Sequence, residues 1–437
     1  MNLILLSGGS GKRLWPLSND IRSKQFVKIF KRDDIYESML QRVYNQIKSV
    51  DSSANIVIAT SKSQVSAIHN QLGEQCKICV EPCRRDTFPA IALSVLYMIR
   101  NNLLRENDPV IICPVDPYVN IDYFEALKRL FSYTEKSSAN LVLMGIEPTY
   151  PSEKYGYILP LNAANIISEV SSFKEKPETK IAEEYIRQGA LWNAGVFAFK
   201  ASYLLNKVTE TIGYCDYELL YDNYEKLSAI SFDYAVVEKE KSIDVIRYKG
   251  MWKDVGTWNE LSEVMSENVF GEAVISDCNN VHVLNELDVP IIAIGLQDVI
   301  IGASAEGVIV SDKEKSVSIK NLIEDIDGQI RFAEKSWGSF KVIDVEDESL
   351  TMKVTIKAGD FMNYHSHERR DEVWTVISGR GRTIVDGMEQ SVKTGDVITM
   401  QAGCRHTVIA DTELKLIEVQ LGKEISVSDK LKYDIED

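Results

Sequence analysis

The sequence lacks long apolar stretches and a cysteine framework. No window approaches the ~20 apolar residues of a membrane span, and the apolar run over residues 3–6 is far shorter than the core of a signal peptide. The seven cysteines are odd in number and follow no framework spacing, which is typical of a reducing compartment. We therefore expect a cytoplasmic protein with no membrane partner.

Basic residues are also scarce, since 49 Lys and Arg stand against 65 Asp and Glu, a formal net charge of −16. A chain this acidic repels polyphosphate backbones, so we expect no nucleic-acid partner and only small phosphates held at local sites. Apolar residues make up 45% and charged residues 26%, which excludes wholesale disorder, a fibrous rod and a disulfide-stapled mini-protein. At about 150 residues per domain, 437 residues predict two or three domains.

Up to about residue 265 the sequence alternates short apolar runs with helical spacing. Buried strands are expected at residues 3–6, 56–59, 110–113 and 141–146, and helices over 35–47 and 91–103. This alternation predicts a doubly wound, mostly parallel sheet with helices on both faces. Ligands of such a sheet bind beyond the carboxyl ends of its strands, where the loop after the first strand would lie.

After Asn268 the pattern changes to short β-branched runs. They centre on residues 291–294, 299–301, 308–310 and 317–319. Turn residues separate them, which predicts a small β unit, either a few coils of a solenoid or a plain meander. A second β-rich region begins at Trp337, and the last fifteen residues are polar and expected to be loose. The predicted domains are residues 1–267, 268–330 and 331–437.

The first predicted strand runs directly into a glycine-rich loop, Ser7-Gly-Gly-Ser-Gly-Lys-Arg13. Glycines let the backbone approach a phosphate closely, and Lys12 and Arg13 add positive charge. The loop has neither the Gly-Lys-Ser/Thr ending of a Walker loop nor the spacing of the dinucleotide fingerprint. Taken alone, it is also compatible with a tight turn between a strand and a helix, which is the less favoured alternative.

The loop is the first of eight motifs that follow one another in order. They cover residues 9–18 with 24–26, 81–91, 114–116, 155–158, 173–177, 192–197, 233–238 and 252–258. This set resembles the sugar-1-phosphate nucleotidyltransferases, and most closely the bacterial mannose-1-phosphate guanylyltransferases. The resemblance implies a Rossmann-like domain that transfers a guanylyl group from GTP to α-D-mannose 1-phosphate. The products would be pyrophosphate and GDP-mannose for cell-surface polysaccharide.

The resemblance also implies roles for individual residues. The implied nucleotide-binding residues are Leu6, Gly8, Gly9, Ser10, Gly11, Lys12, Glu81, Arg85 and Thr87. The implied catalytic residues are Arg13, Lys24, Asp116 and Asp254, of which the two aspartates would hold Mg²⁺. The implied sugar-phosphate-binding residues are Gly156, Glu175, Lys176 and Asn193. A homodimer or higher homo-oligomer is expected.

Three positions depart from the family pattern and leave the exact substrate open. Pro117 follows Asp116 where the family carries His, and Ser23 replaces the usual proline before Lys24. Asp86 replaces an asparagine near the base, and an ionised carboxylate only accepts hydrogen bonds. Another base or another sugar 1-phosphate therefore stays an alternative.

Histidines near the carboxyl end form a second constellation. Gly359, His365, His367, Glu372 and Gly379 have the spacing of the first cupin motif, and Gly395, Gly403 and His406 that of the second. Side chains alternate along a strand, so His365 and His367 would share a face, and paired strands could bring Glu372 and His406 to it. Three imidazoles and a carboxylate suit Zn²⁺, Fe²⁺, Mn²⁺ or Ni²⁺.

The carboxyl-terminal region therefore resembles a cupin β-barrel, and its borders resemble a type II mannose-6-phosphate isomerase. In the bifunctional family members this region follows the transferase domain, with a short left-handed β-helix-like unit between them. Its histidine spacing differs by two residues from the isomerase pattern. A catalytic isomerase and a non-catalytic regulatory or oligomerising module both remain open.

Overall fold

The computed structural model describes residues 1–9, 12–19, 21–323, 330–425 and 429–433, with only the backbone of Lys12. Two compact units make up the chain. The first unit consists of Met1–Ser10 with Gln25–Ser266, and the second of Gly11–Lys24 with Glu267–Asp437. Every helix within the described ranges is too short or too polar to cross a bilayer.

The first unit is built on a nine-stranded sheet. Its strands, with those of two separate two-stranded sheets, are β1 Asn2–Leu6, β2 Lys28–Arg32, β3 Ile35–Ser38, β4 Asn55–Ser61, β5 Lys77–Glu81, β6 Pro109–Pro114, β7 Pro117–Val119, β8 Leu141–Ile146, β9 Tyr157–Pro160, β10 Ile167–Lys174, β11 Leu191–Lys200, β12 Ile243–Tyr248 and β13 Trp252–Asp254. The strand order is β5-β4-β1-β6-β11-β8-β12-β10-β9. Strands β5, β4, β1 and β6 are parallel neighbours, as are β8 and β12, whereas β11 runs antiparallel between β6 and β8.

Helices connect these strands and cover their apolar side chains. They are α1 Met39–Val50, α2 Val65–Leu72, α3 Thr87–Arg100, α4 Ile121–Lys136, α5 Thr179–Arg187, α6 Ala201–Ile212, α7 Tyr217–Asp222, α8 Phe232–Ala235 and α9 Trp258–Ser262. Helix α3 is buried almost all round and packs with β1, β4 and β5. A helix that is apolar on every side belongs inside a core, so α3 lies at the centre of the main hydrophobic cluster.

The predicted strands of this unit are present, and one predicted helix begins later than expected. Residues 35–38 form strand β3 and pair with β2, so the helix predicted over 35–47 starts only at Met39. Ser38 ends the strand and caps the helix, because its hydroxyl accepts from Gln41 N while the Gln41 side chain bonds back to Ser38 N. The exposed Ile35 therefore fitted the helical spacing only by coincidence.

The strands of the second unit that start at Val269 pair in parallel, except for the last of them, which runs antiparallel to its neighbour. They are β14 Val269–Phe270, β15 Ala273–Ser276, β16 His282–Asn285, β17 Ile291–Ile294, β18 Val299–Ser304 and β19 Gly307–Asp312, followed by α10 Ile319–Ile323. Strand β15 pairs with β17 and β16 with β18 in parallel at one offset of 18 residues, as in Ala273 with Ile291 and His282 with Ile300. Parallel pairing at a constant offset is the geometry of a solenoid, so the meander alternative is wrong.

One predicted strand of this β unit is helical instead. Residues 317–319 lie in the 3-10 turn Lys315–Ser318 and the start of α10. Asp312 ends β19, and its side chain accepts a hydrogen bond from Lys315 N at 3.0 Å. A side chain that accepts from the backbone three residues later favours a helical turn over a further strand.

The rest of the second unit is an antiparallel barrel of two sheets. Its strands are β20 Phe332–Lys335, β21 Gly338–Glu346, β22 Ser349–Ile356, β23 His365–Ser366, β24 Asp371–Ser378, β25 Arg380–Val385, β26 Met388–Lys393, β27 Val397–Met400, β28 His406–Ala410, β29 Leu414–Leu421 and β30 Leu431–Lys432. The sheets have the orders β20-β21-β22-β29-β24-β27 and β26-β25-β28-β23-β30. Apolar side chains from both sheets, with Trp374 fully buried among them, form one core.

The polar carboxyl-terminal stretch is not wholly loose. Residues 431 and 432 form β30, which pairs with β23 in the order Leu431 to Ser366 and Lys432 to His365. Tyr433 N also donates to Tyr364 O at 2.9 Å. Composition alone predicted a loose end, because polar side chains do not reveal that their backbone completes the edge of a sheet.

Candidate functional site

The loop after β1 lies at the carboxyl edge of the parallel strands and is held by two amide side chains. Gln25 Nε2 donates to Ser7 O at 3.2 Å, and Gln64 Nε2 donates to Gly9 O at 3.3 Å. Gly8 and Gly9 are exposed. The loop backbone is therefore fixed on the sheet edge while its glycines face outward.

Glu81 is the last residue of β5 and lies beside this loop. A Cβ placed on Gly8 would be 3.8 Å from Glu81 Oε1. The Tyr224 hydroxyl donates to Glu81 Oε2 at 2.8 Å, and burial raises the pKa of the Glu81 carboxyl. A ligand in the loop would therefore meet a buried carboxyl that is already oriented by a tyrosine.

Arg85 and Thr87 bond to the segment around α8. The Thr87 hydroxyl accepts from Phe232 N at 2.8 Å, and Arg85 Nη2 donates to Glu225 O. Between them, Asp86 has a φ of +66° and caps α3, with its carboxylate accepting from Thr87 N at 2.7 Å. The three residues therefore fix the start of α3, and the Asp86 carboxylate is oriented towards its own helix.

Most of the remaining candidates of the first unit line one cavity of about 220 Å³. These are Asp116, Gly156, Glu175, Asn193 and Asp254, with Asp233 and Trp252 beside them. Asp116 directly precedes β7, and Asp254 ends β13, where it pairs opposite Pro117 of β7. Two carboxylates that are remote in sequence thus enter the same cavity from neighbouring strands.

Asn193 links the cavity wall to a perturbed carboxyl. Its Nδ2 donates to Asp233 Oδ1 at 2.6 Å, and its Oδ1 accepts from Gly195 N at 3.1 Å. Burial and the nearby charge of Glu175 raise the pKa of Asp233 to about 6, although the bond from Asn193 acts in the opposite direction. Asp233 is therefore a carboxyl that exchanges a proton near neutral pH at the cavity wall.

Glu175 is buried and uses only one of its two carboxylate oxygens. Oε1 accepts from Lys176 Nζ at 2.7 Å, whereas Oε2 has no hydrogen-bond partner among the described residues. A Cβ on Gly156 would lie 2.4 Å from Glu175 Oε2, so only glycine leaves room for the carboxylate there. A buried acceptor without a donor costs about 1–3 kcal/mol, which a ligand hydroxyl in the cavity could relieve.

Lys176 follows Glu175 and has a strained backbone. Its φ is +44°, which is uncommon for a residue with a side chain. Burial alone would lower the pKa of Lys176, but the hydrogen bond and charge of Glu175 outweigh it and raise that pKa. Lys176 is therefore positively charged, and its ammonium group contacts Glu175, which lines the cavity.

The other loop candidates belong to the segment that packs in the second unit. Arg13 is exposed in the 3-10 turn Lys12–Leu14, and Lys24 is half-buried at the start of Lys24–Phe26. Ser10, Gly11 and the side chain of Lys12 lie outside the described residues. Leu6 is the half-buried last residue of β1.

The second unit brings His365, His367, Glu372 and His406 together, all four buried. One ligand atom from each lies within 4.8 Å of the others. His365 of β23 pairs directly with His406 of β28, and Glu372 is the second residue of β24 in the other sheet. Glu372 Oε2 and His406 Nε2 lie 3.2 Å apart, yet neither has a hydrogen-bond partner in the described chain. Buried ligand atoms that lack a hydrogen-bond partner and lie this close together fit a metal ion.

Backbone carbonyls orient all three imidazoles. The Nδ1 atoms of His365 and His406 lie 2.6 Å from Asn363 O and 3.0 Å from Cys404 O, and His367 Nδ1 bonds to Asp429 O. Because a carbonyl only accepts, Nδ1 carries the proton in each ring and Nε2 keeps its lone pair. This outer arrangement is the one that metal-binding histidines use.

Charge at the cluster is balanced by Arg370, which precedes Glu372 by two residues. Arg370 Nε donates to Glu372 Oε1 at 3.2 Å, and Nη2 donates to His367 Nε2 at 3.1 Å. Burial opposes the Glu372 charge, but the close approach of His367 and His406 outweighs burial and lowers the pKa of the Glu372 carboxyl. Burial lowers the pKa of His365 to about 2, so this imidazole is neutral.

The cluster opens into a barrel cavity of about 470 Å³. Aromatic and aliphatic side chains such as Trp337 form one part of its wall, while Glu418 and Lys430 belong to its polar part. Burial raises the pKa of Glu418 to about 8 and lowers that of Lys430 to about 8. The cavity therefore combines a candidate metal site with groups that change charge near neutral pH.

Comparison with known proteins agrees with this architecture. A family model described as nucleotidyl transferase matches residues 2–269, more than half of the chain. The chain belongs to the nucleotidyl transferase family. A second model, described as a cupin domain, matches residues 352–420.

Relatives of this nucleotidyl transferase match it along nearly all of its length. It is 28% identical to the mannose-1-phosphate guanylyltransferase RfbM of Salmonella typhimurium, covering 99% of this chain and 96% of that protein. It is also 28% identical to the xanthan biosynthesis protein XanB of Xanthomonas campestris, covering 99% and 97%. A crystal structure described as a mannose-1-phosphate geranyltransferase from Thermus thermophilus matches with a TM-score of 0.64 and 25% identity, covering 75% of this chain and 99% of that one.

Sequence reasoning overlooked several residues of this nucleotidyl transferase. Asp233 stands in one of the eight motifs, but nothing local distinguishes it from the surface carboxylates around it. Arg370 lies in a run of charged residues that is typical of an exposed turn, although it is buried. Lys430 lies in the stretch expected to be loose, and only the pairing of β30 brings it to the barrel.

Proposed function

We propose that the chain transfers a guanylyl group from GTP to α-D-mannose 1-phosphate and releases pyrophosphate. The observation that carries this proposal is the single cavity lined by Asp116, Asp254, Glu175 and Asn193 at the carboxyl edge of the sheet. Full-length similarity to guanylyltransferases supports the base and the sugar. GDP-mannose for cell-surface polysaccharide is the proposed product, and the cytoplasm is the proposed compartment.

In the proposed reaction the phosphate oxygen of the sugar attacks the α-phosphorus of GTP and pyrophosphate leaves. The nucleophile is already an anion, so the protein needs no general base and acts by positioning and charge compensation. We assign the compensation to Arg13 and Lys24, and the loop backbone at Gly8 and Gly9 to the triphosphate. Glu81, Arg85 and Thr87 are assigned to the base side.

For the sugar phosphate, we assign the phosphate to Lys176 and the hydroxyls to Glu175 and Asn193. The unpartnered Oε2 of Glu175 supports this assignment, because a sugar hydroxyl is the donor it lacks. Asp116 and Asp254 would hold Mg²⁺, since paired carboxylates are hard oxygen ligands. When bound, Mg²⁺ would offset phosphate charge.

A second activity is proposed for the cupin barrel, the interconversion of fructose 6-phosphate and mannose 6-phosphate. His365, His367, Glu372 and His406 would hold a divalent metal such as Zn²⁺, which polarises a carbonyl when bound. The cations Arg370 and Lys430 suit a sugar phosphate, and Glu418 offers a carboxyl that can exchange a proton. For the three histidines and Glu372 to hold a metal, Arg370 Nη2 must move away from His367 Nε2.

The test is pyrophosphate release from mannose 1-phosphate with GTP, CTP, UTP or dTTP, followed by a panel of other sugar 1-phosphates with GTP. GTP with mannose 1-phosphate is expected to be the fastest pair, and a faster pair would replace the substrate assignment. Fructose 6-phosphate alone tests the isomerase. If mannose 6-phosphate never forms while His367→Ala alters guanylyl transfer or assembly, the barrel is a regulatory or oligomerising module. Sedimentation with and without chelator then also tests the proposed homo-oligomer.

A further inference from the structure

The segment that carries two of the proposed charge-compensating residues is bound by the solenoid. Residues 11–24 group with residues 267–437 in the second unit. Arg13 is exposed in this segment and Lys24 ends it. The solenoid belongs to the same unit.

A paired-charge contact anchors the middle of the segment. Arg22 Nη1 and Nη2 donate to Glu286 Oε2 and Oε1 at 2.7 and 2.8 Å. Both side chains are largely covered, with 13% and 19% of their surfaces exposed. The Arg22 guanidinium also lies 5.1 Å from the ring centre of Phe332. A bidentate pair fixes orientation as well as distance, which a single lysine contact would not do.

Two further contacts hold the segment on either side. The Ser304 hydroxyl at the end of β18 donates to Pro16 O at 2.6 Å. Asn19 Nδ2 donates at 2.8 Å to Glu306 Oε1, which also accepts from Phe332 N. The solenoid therefore contacts the segment at three points through polar atoms.

The packing next to these bonds requires a glycine. The Trp15 indole covers Gly307, which has a φ of +151°. A Cβ at Gly307 would lie 2.6 Å from Trp15 Cζ2. Any larger residue would push the indole away, so the contact is shape-specific in addition to being hydrogen-bonded.

We propose that Glu286, Ser304 and Glu306 are positioning residues for nucleotidyl transfer, because they fix the segment that carries Arg13 and Lys24. This inference rests on the proposed function. None of the three is assigned to the nucleotide or to the sugar phosphate, so we expect them to act through the segment. Charge compensation at a transferring phosphoryl group depends on geometry, and small displacements cost about 10²-fold in rate.

The test uses the full-length chain and four variants. Glu286→Gln and Ser304→Ala each remove one anchor, and Arg22→Glu with Glu286→Arg exchanges the charges. Asp288→Asn is the matched control, since its carboxylate bonds only to Lys341 in the described chain and is 95% exposed. Pyrophosphate release is measured against GTP and mannose 1-phosphate, and amide hydrogen exchange is followed in a peptide covering residues 12–24.

We expect Glu286→Gln and Ser304→Ala to lower kcat/KM for GTP about 10-fold or more, to leave KM for mannose 1-phosphate unchanged, and to speed exchange in the peptide. The variant with exchanged charges should regain part of kcat/KM for GTP and part of the slow hydrogen exchange in the peptide. Asp288→Asn should match the wild type. Wild-type kinetics and exchange in both anchor variants would overturn the inference. If the wild-type chain itself releases no pyrophosphate, the proposed function fails, and the exchange measurement still decides whether the solenoid fixes the segment.

Discussion

His365 and His406 lie directly opposite each other on neighbouring antiparallel strands, with their ring centres 4.3 Å apart. Glu372 Oε2 lies 3.2 Å from His406 Nε2, and one ligand atom from each of the four residues lies within 4.8 Å of the others. This arrangement is the basis of our first prediction, that the barrel binds a metal ion whatever the barrel catalyses.

His406→Ala should abolish metal binding. The wild-type chain is expected to carry about one transition-metal ion per chain and to lose about 2–4 kcal/mol of stability on chelation. Metal content by mass spectrometry and thermal unfolding with and without chelator measure both. His69→Ala, on α2 of the other unit, is the matched control and should behave like the wild type. An unchanged metal content in His406→Ala would contradict the assignment.

Asp254→Asn should slow guanylyl transfer while the fold persists. The amide keeps the size of the side chain but removes a charge that we assign to Mg²⁺, so kcat should fall about 10²–10³-fold. Pyrophosphate release at saturating GTP is the measurement. Glu263→Gln, which breaks only the exposed ion pair with Lys253, is the control. Near-normal release from Asp254→Asn would remove Asp254 from the metal site.

Gly156→Ala should weaken sugar-phosphate binding. Its Cβ would lie 2.4 Å from Glu175 Oε2 and 2.9 Å from Phe173 Cζ, so the carboxylate has to move. KM for mannose 1-phosphate is expected to rise about 10-fold, with KM for GTP unchanged. Gly8→Ala is the contrasting variant, because its nearest atom is 3.8 Å away and its effect should fall on GTP. If Gly156→Ala instead raised KM for GTP and Gly8→Ala raised KM for mannose 1-phosphate, the nucleotide and sugar-phosphate assignments would have to be exchanged.

Asp233→Asn should flatten the dependence of stability on pH. The pKa of Asp233 is raised from 3.8 to about 6, so the folded chain binds its proton more tightly than the unfolded chain does. The associated stability is fully present below pH 3.8 and is lost as the pH rises through about 6. It amounts to on the order of 1–3 kcal/mol. Urea unfolding between pH 4 and 7 measures it.

The control for this experiment is Asp277→Asn, an exposed turn carboxylate in the second unit. Its pH profile should follow that of the wild type. If Asp233→Asn shows the same loss of stability between pH 4 and 6 as the wild type, another group is responsible for it.

Much of the first unit could be predicted because its signals are local. Residues 141–146 form a strand as expected, since an uninterrupted apolar run fits a strand buried on both faces. Residues 35–38 could not be distinguished from a helix start, because only their pairing with β2 makes them a strand. Val317 and Ile319 have β-branched side chains, but the preceding Asp312 directs the backbone into a helical turn.

The candidate sites could be predicted as sets of residues but not as arrangements. The motifs pointed to Asp116 and Asp254, whose shared cavity depends on the pairing of β7 with β13. The spacing of His365, Glu372 and His406 was sufficient to expect a cluster. The contact between Arg22 and Glu286 had no local signal in the sequence. It joins two charged residues more than 260 positions apart, and each of them alone would be predicted to be exposed.

The discontinuous second unit limits how this molecule can be dissected. A fragment ending at Ser266 would keep Arg13 and Lys24 but lose Glu286, Ser304 and Glu306, which hold their segment. Domain-swapped chimeras joined near residue 267 would meet the same difficulty unless the solenoid and the stretch before Gln25 come from one parent. When these enzymes are recombined, the two pieces should therefore come from the same parent protein.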